Sequence, residues 1–264
     1  MTEILQQEGW VLGALAGAFG LVLGSFLNVC TLRWPTDASV VHPPSHCPAC
    51  GAAIHWYDNV PLVSYLILRG RCRSCGVFIS PQYPLVELAT GLVWAGSFLH
   101  FGLTVEALRG ALFLTILLGI AVSDARFYII PDEFSLGGTV LGLLLAPFPG
   151  GVSITQALLG AGVGFGLLWV VAQAGSWLFK KDAMGGGDLK MMALVGAFLG
   201  IPGVLLTLFL GALLGSVVFG PIAWKTGKLV PFGIFLAAGA AVSYGWGDQL
   251  VGWYVENFLL MVPS

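Results

Sequence analysis

The chain is organised by apolar runs close to the length a helix needs to cross a bilayer, about 20 residues. They fall at about 9–32, 84–101, 107–123, 134–148, 154–179, 189–200, 203–223 and 230–262. The hydrocarbon interior offers no water to backbone N–H and C=O groups, so such a chain folds as helices that close their own hydrogen bonds. Composition agrees. Of 264 residues, 57% are hydrophobic and 9% charged, with a mean hydropathy of +0.91, whereas a soluble domain carries about 25% charged residues. The expectation is an all-α polytopic membrane protein of about eight transmembrane helices. The 189–200 run is short for a span, and 230–262 is long enough for two passes around Gly245, Gly247 and Asp248.

Basic residues set the orientation. If the spans alternate, Arg33, Arg69, Arg71, Arg73, Arg126, Lys180, Lys181, Lys190, Lys225 and Lys228 share one face and Arg109 alone takes the other. The positive-inside rule makes the first face cytosolic. Glu3 and Glu8, with no basic side chain before the first span, put the N-terminus outside. Without a basic n-region that span is retained and not cleaved as a signal peptide. The few cations are committed to topology, so the net charge of -2 implies no nucleic-acid partner.

One polar insertion interrupts this pattern, between the first two apolar runs. It is rich in Pro, Arg, His and Cys, is too small to be held easily by a hydrophobic core alone, and falls on the cytosolic face. It carries Cys47-Pro-Ala-Cys50 and Cys72-Arg-Ser-Cys75, two CxxC pairs separated by 21 residues. That spacing suits two knuckles converging on a tetrahedral, structural zinc with no open position for water. Disulfides are disfavoured in reducing cytosol, and a redox motif needs only one pair. His42, His46 and His55 are near enough to serve as ligands, though four cysteines complete the set. Cys30, inside the first run, suits a small apolar filler.

Carboxylates at membrane depth are costly and therefore candidates for function: Glu87, Asp124, Asp132, Glu133, Asp188 and Glu256. Asp124 closes the third run at the cytosolic face, at a helix C-terminus, where the dipole disfavours an anion; pairing with Arg126 is one remedy. Asp188, in "GGGDLK", opens the sixth run at the same face, at a helix N-terminus that favours an anion. If the fold brings the two together they share one proton, which is the requirement of an aspartyl protease. Gly185, Gly186 and Gly187 then admit close backbone approach by an extended peptide, and Lys190, near the cytosolic edge, favours the charged form of Asp188. The plainer alternatives are that Asp188 and Asp132 are helix N-caps. Glu87 and Glu256 admit either a buried, hydrogen-bonded role or a cofactor contact. No H-E-x-x-H and no G-K-[ST] phosphate loop occurs, and His100 belongs on the outer side.

Taken together, the blocks "GSFLNVCTLRWP" (24–35), the two CxxC pairs, "NVPLVSYLILRGRCRSC" (59–75), "ISPQYPLVEL" (79–88), the Asp124 segment running to "IPDE", "GGGDLK" (185–190) and "PFGIFLA" (231–237) resemble the type IV prepilin peptidases. Gln82 departs from the pattern, where a basic residue is the rule. The resemblance implies a GxGD-type intramembrane aspartyl protease of the bacterial inner membrane. It implies Asp124 and Asp188 as the catalytic pair, prepilins or type II secretion pseudopilins as substrates, and Cys47, Cys50, Cys72 and Cys75 as the zinc ligands. It further implies N-methylation of the new N-terminus by S-adenosylmethionine, for which the residues themselves reveal no site. The expected organisation is a first transmembrane helix at 1–32, a cytosolic tetracysteine zinc domain at 33–83 and a protease membrane domain at 84–264. The competing reading is a proton- or cation-coupled transporter with a zinc-ribbon insertion, whose mark would be an internal repeat with matching broken spans.

Overall fold

The computed structural model describes residues 2–180, 184–226 and 231–259; Lys181, Lys228 and both ends of the last apolar run lie outside them. Eight α-helices follow in order: α1 (Thr2–Arg33), α2 (Val63–Ile67), α3 (Gln82–Phe101), α4 (Val105–Phe127), α5 (Asp132–Leu145), α6 (Ile154–Phe179), α7 (Gly186–Thr226) and α8 (Phe232–Tyr254). Each apolar run is helical, as a dry environment demands, and the insertion holds only the one-turn helix α2 and short 3-10 turns.

Eight helices are not eight spans. Among the described residues four stretches are long and apolar enough to cross a bilayer, namely Gly9–Thr36, Val105–Phe127, Ile154–Leu178 and Gly186–Val218. The 14 residues of α5 reach about 21 Å, short of a core about 30 Å thick. The last run is also simpler than expected. α8 continues through Gly245, Gly247 and Asp248 as one helix, so among the described residues there is no second pass there.

α7 breaks at Gly200, whose φ of 66° and ψ of -170° are non-helical, and Pro202 opens the next turn. The break is a reversal. A Cβ added to Gly164 of α6 would meet both Met192 O and Val204 Cγ2, although twelve residues of straight helix would separate those two by about 18 Å. The chain folds back at Gly200 into a helical hairpin, which keeps 189–200 and 203–223 as distinct segments.

The molecule divides into two compact units, Met1–Gly119 and Ile120–Ser264. In the first, α1 and α3 cross with their backbones close together, because α1 offers glycine wherever α3 approaches. A Cβ on Gly24 would lie 2.7 Å from Glu87 Cα, and one on Gly20 would lie 2.8 Å from Thr90 O. Cys30 is buried in α1, as a small filler should be. Glu87 is buried too, and accepts a hydrogen bond from Leu62 N–H at 2.8 Å, so α3 holds the insertion by its main chain.

In the second unit, α6 starts at a capping box in which the Ser153 hydroxyl accepts from Gln156 N–H and the Gln156 side chain accepts from Ser153 N–H. α6 lies directly on the first half of α7. Gly160 and Gly196 face each other so closely that a Cβ on either would overlap the other's carbonyl. Met191, Met192, Leu194, Val195 and Val204 of α7 are fully buried, as is Leu236 of α8, which lies against Gly211 in the second half of α7. Without a hydrophobic force between helices in lipid, such close backbone packing supplies the association. Gly196→Val is therefore expected to part α6 from α7 and to lower stability by about 1–3 kcal/mol; an unchanged melting temperature in detergent would refute this crossing.

Candidate active site and metal centre

α4 ends because Tyr128 turns into the left-handed region at φ 56° and its N–H donates to Asp124 O at 3.0 Å; Pro131 then starts α5 afresh. Asp124 therefore lies in the last turn of α4, at the end the dipole makes unfavourable to an anion. The structure answers this from elsewhere. The first turn of α8 points its N–H groups at the carboxylate, with Ile234 N donating to Asp124 Oδ2 at 3.2 Å and Gly233 N–H also hydrogen-bonded to it. Asp124 is 5% exposed. Arg126 is no partner to it, lying over the Phe127 ring at 5.5 Å.

Asp188 is the third residue of α7, inside its first turn, so it is not the N-cap. It is partly exposed and close enough to Asp124 to feel its charge. Ile130, in the turn after α4, fills the space between the starts of α7 and α8. A Cβ on Gly187 would lie 2.9 Å from Ile130 Cβ, and one on Gly233 would lie 2.8 Å from Ile130 Cδ1 and 2.9 Å from Asp124 Oδ2. Gly185 stands open, with Asp188 Oδ2 3.8 Å from the place its Cβ would take. Three helix ends thus meet around two carboxylates, and the walls are glycine where a side chain would intrude.

Lys190 does not serve Asp188. Its Nζ donates to both oxygens of Asp132 at 2.7 and 2.8 Å, tying the second turn of α7 to the first turn of α5. The N-cap position before α5 is Pro131, and Asp132 is spent on this ion pair. Glu256 is exposed beyond α8, so it has no buried role.

In the first unit the four cysteines converge, with all Sγ atoms within 4.8 Å of one another. Cys47 and Cys75 are 3.8 Å apart, which is the edge of a tetrahedron with metal–sulfur bonds of about 2.3 Å. The two knuckles are copies, displaced by 25 residues. Cys47 N–H donates to Ala52 O and Gly51 N–H to Cys47 O; Cys72 N–H donates to Val77 O and Gly76 N–H to Cys72 O. Gly51 and Gly76 take φ of 71° and 73°, a turn that favours glycine. The N–H groups of Cys50 and Ala49 hold the Cys47 thiol down at about 6, so a thiolate ligand is at hand. Asp58 clamps the second knuckle through Arg73, with Oδ1 2.6 Å from Nη2, and the guanidinium holds that carboxyl below the usual range. Two of the histidines are turned to other uses. His46 Nδ1 lies 3.1 Å from Pro44 O and His55 stacks on Tyr57.

Residues 18–101 match the family described as Bacterial Peptidase A24 N-terminal domain, and residues 111–220 match the Type IV leader peptidase family. A prepilin leader peptidase/N-methyltransferase of Bacillus subtilis is 33% identical over 249 residues, covering 91% of this chain and 97% of its own length. That of Pseudomonas aeruginosa is 37% identical over 270 residues, covering 90% and 91%. That of Myxococcus xanthus is 41% identical over 213 residues, covering 80% of this chain and 63% of its own. The chain belongs to the type IV leader peptidase family. No solved structure matches it.

Two residues of this candidate site escaped sequence reasoning. Gly233 and Ile130 sit in "PFGIFLA" and "IIPDE", blocks that carry the family likeness, but neither is ionisable, and their role appears only when Ile130 is seen against two glycines. The cysteine geometry makes its own forecast. Cobalt added to the metal-free protein should give thiolate-to-metal absorption at one metal per chain, and Cys72→Ser should weaken or lose it; full absorption in that variant would exclude the four-thiolate site.

Proposed function

We propose that the chain is an integral membrane aspartic endopeptidase that removes the leader of type IV prepilins and type II secretion pseudopilins, with Asp124 and Asp188 as its catalytic pair. The observation that carries this reading is the meeting of two carboxylates, 64 residues apart in sequence, at helix ends walled by Gly187 and Gly233. Kinship supports the same activity, and nothing in it supports a transporter.

The chemistry follows the arrangement. One carboxylate takes a proton from water, which attacks the scissile carbonyl as the other carboxyl donates its proton to the carbonyl oxygen; the first, now protonated, then delivers its proton to the leaving amine while the second recovers one from the tetrahedral diol, which restores the pair. Asp124 is held still by two N–H donors, while the more exposed Asp188 faces the open side at Gly185, where an extended peptide can enter. No covalent intermediate is needed.

Reading the hairpin halves of α7 separately, eight helical segments alternate in direction along the chain, α1, α3, α4, α5, α6, the two halves of α7, and α8, of which α5 is too short to reach across the core by itself. With the N-terminus periplasmic, the end of α4 and the starts of α7 and α8 then share the cytosolic face. These are the ends that carry Asp124, Asp188 and Gly233. A prepilin presents a basic leader in the cytosol and an apolar helix in the bilayer, so its cleavage point lies at this level of the bacterial inner membrane. On this reading 1–32 is the first transmembrane helix, 33–83 a cytosolic domain held by structural zinc on Cys47, Cys50, Cys72 and Cys75, and 84–264 the protease domain.

The relatives' name also carries N-methyltransferase, and we assign methylation of the new N-terminus by S-adenosylmethionine from that kinship. The cleft beside α1 does not fit this donor. It is lined mainly by valine and proline and has no carboxylate for the ribose hydroxyls or the sulfonium.

With purified protein and a prepilin, Asp124→Asn and Asp188→Asn should each lower cleavage by about 100-fold or more; wild-type cleavage by either would sink the dyad. Gly233→Val should push Asp124 and Ile130 aside and cost roughly 100-fold in kcat/KM while the protein still accumulates in the membrane. Labelled methyl donor in the same assay should mark the mature N-terminus and leave the uncut precursor unmarked.

A further inference from the structure

Beside the C-terminal half of α1 lies a cleft of about 530 Å³. Its floor is one stripe of that helix, Val22, Phe26 and Val29 leading to Arg33, at the spacing that places side chains on a single face. Residues of the 40–45 and 59–61 segments form its walls, and Arg33 is the one charged side chain in the lining. Val22 and Phe26 are 57% and 51% exposed, so the floor opens sideways along the helix. From Val22 to Arg33 the stripe runs about 16 Å, close to the depth of one hydrocarbon leaflet, half of about 30 Å. Arg33 donates from Nη1 to Ser39 O and from Nη2 to Pro43 O, both at 2.7 Å. Among the described residues those two bonds fix the fork in place and leave its remaining N–H groups for a further acceptor.

We propose that this cleft seats one anionic phospholipid of the cytosolic leaflet, an acyl chain along Val22, Phe26 and Val29 and the phosphate against Arg33. The inference rests on the reading above that α1 ends at the cytosolic face, where anionic headgroups concentrate. The chemistry of the lining selects the occupant. A peptide would bring a row of backbone N–H and C=O groups, for which a lining of valine, proline and phenylalanine offers few partners beyond Ser25, Ser45 and Asn59, whereas an acyl chain brings none. A guanidinium fork pairs with phosphate oxygens in two-point geometry. The volume lies within the roughly 300–1,000 Å³ of small-molecule sites. A lipid held there would fasten the insertion to the membrane level, since the walls continue directly into the first knuckle.

The full-length protein in detergent micelles, titrated with phosphatidylglycerol or phosphatidylcholine of the same acyl chains and read by native mass spectrometry, tests this. Wild type should keep one phosphatidylglycerol about tenfold more tightly than phosphatidylcholine, and Arg33→Gln should erase that preference. Because Arg33 also braces the 39–43 segment, Val22→Trp, which fills the floor away from those bonds, serves as a second variant and should reduce retention of both lipids. Equal retention of the two lipids by wild type, or unchanged phosphatidylglycerol binding in either variant, overturns the proposal. The mass readout depends on neither cleavage nor orientation, so a failure here is distinct from a failure of the peptidase reading.

Discussion

A carboxylate shut away from water needs donors, and Asp124 obtains them from the main chain at the start of α8. The rest of the second unit is arranged around that contact. It requires α4 to end just past Asp124, which Tyr128 and Pro131 secure, and it requires α8 to begin with a residue that has no side chain, so that its N–H groups can come within reach. Ile130 then closes the gap left between three helix ends. Remove the Cβ restriction at Gly233 and the same carboxylate would be pushed off its donors.

The first unit solves a different problem. About fifty residues with almost no buried apolar side chains must hold a shape, and they do so by repeating one turn. Each knuckle uses the same pair of backbone hydrogen bonds and the same left-handed glycine, and neither has a core of its own. What joins them is the cluster of four sulfurs, helped by the Asp58–Arg73 fork. Glu87, reaching from α3 to Leu62 N–H, fastens this assembly to the helix pair below it.

Much of this was legible in the sequence because it is local. The apolar runs became helices, the CxxC spacing brought four thiols together, and the two aspartates fell at helix ends. The rest depended on distant partners. Ile234 is 110 residues from Asp124, so nothing near Asp124 announces how its charge is received, and Arg126 was the plausible neighbour. Lys190 is two residues from Asp188 yet pairs with Asp132, 58 residues away, because the side chains at the starts of α5 and α7 meet. Gly245 and Gly247 look like a turn in sequence, yet α8 runs through both although neither packs closely on a neighbour. Chain reversal at Gly200, by contrast, follows from a glycine and a proline two residues apart.

The contact between Gly160 and Gly196 has a bearing on how such a chain can change over generations. Where two helices touch through main-chain atoms, the position of Asp188 at the head of α7 is set by peptide geometry, which is alike for every residue type. The lipid-facing positions of α6 and α7 can then exchange one apolar residue for another with little effect on the aspartate, while the register of glycines along the seam tolerates almost no drift. Sequences sharing this architecture should diverge freely on their outer surfaces and stay fixed along a line that bears no reactive group at all.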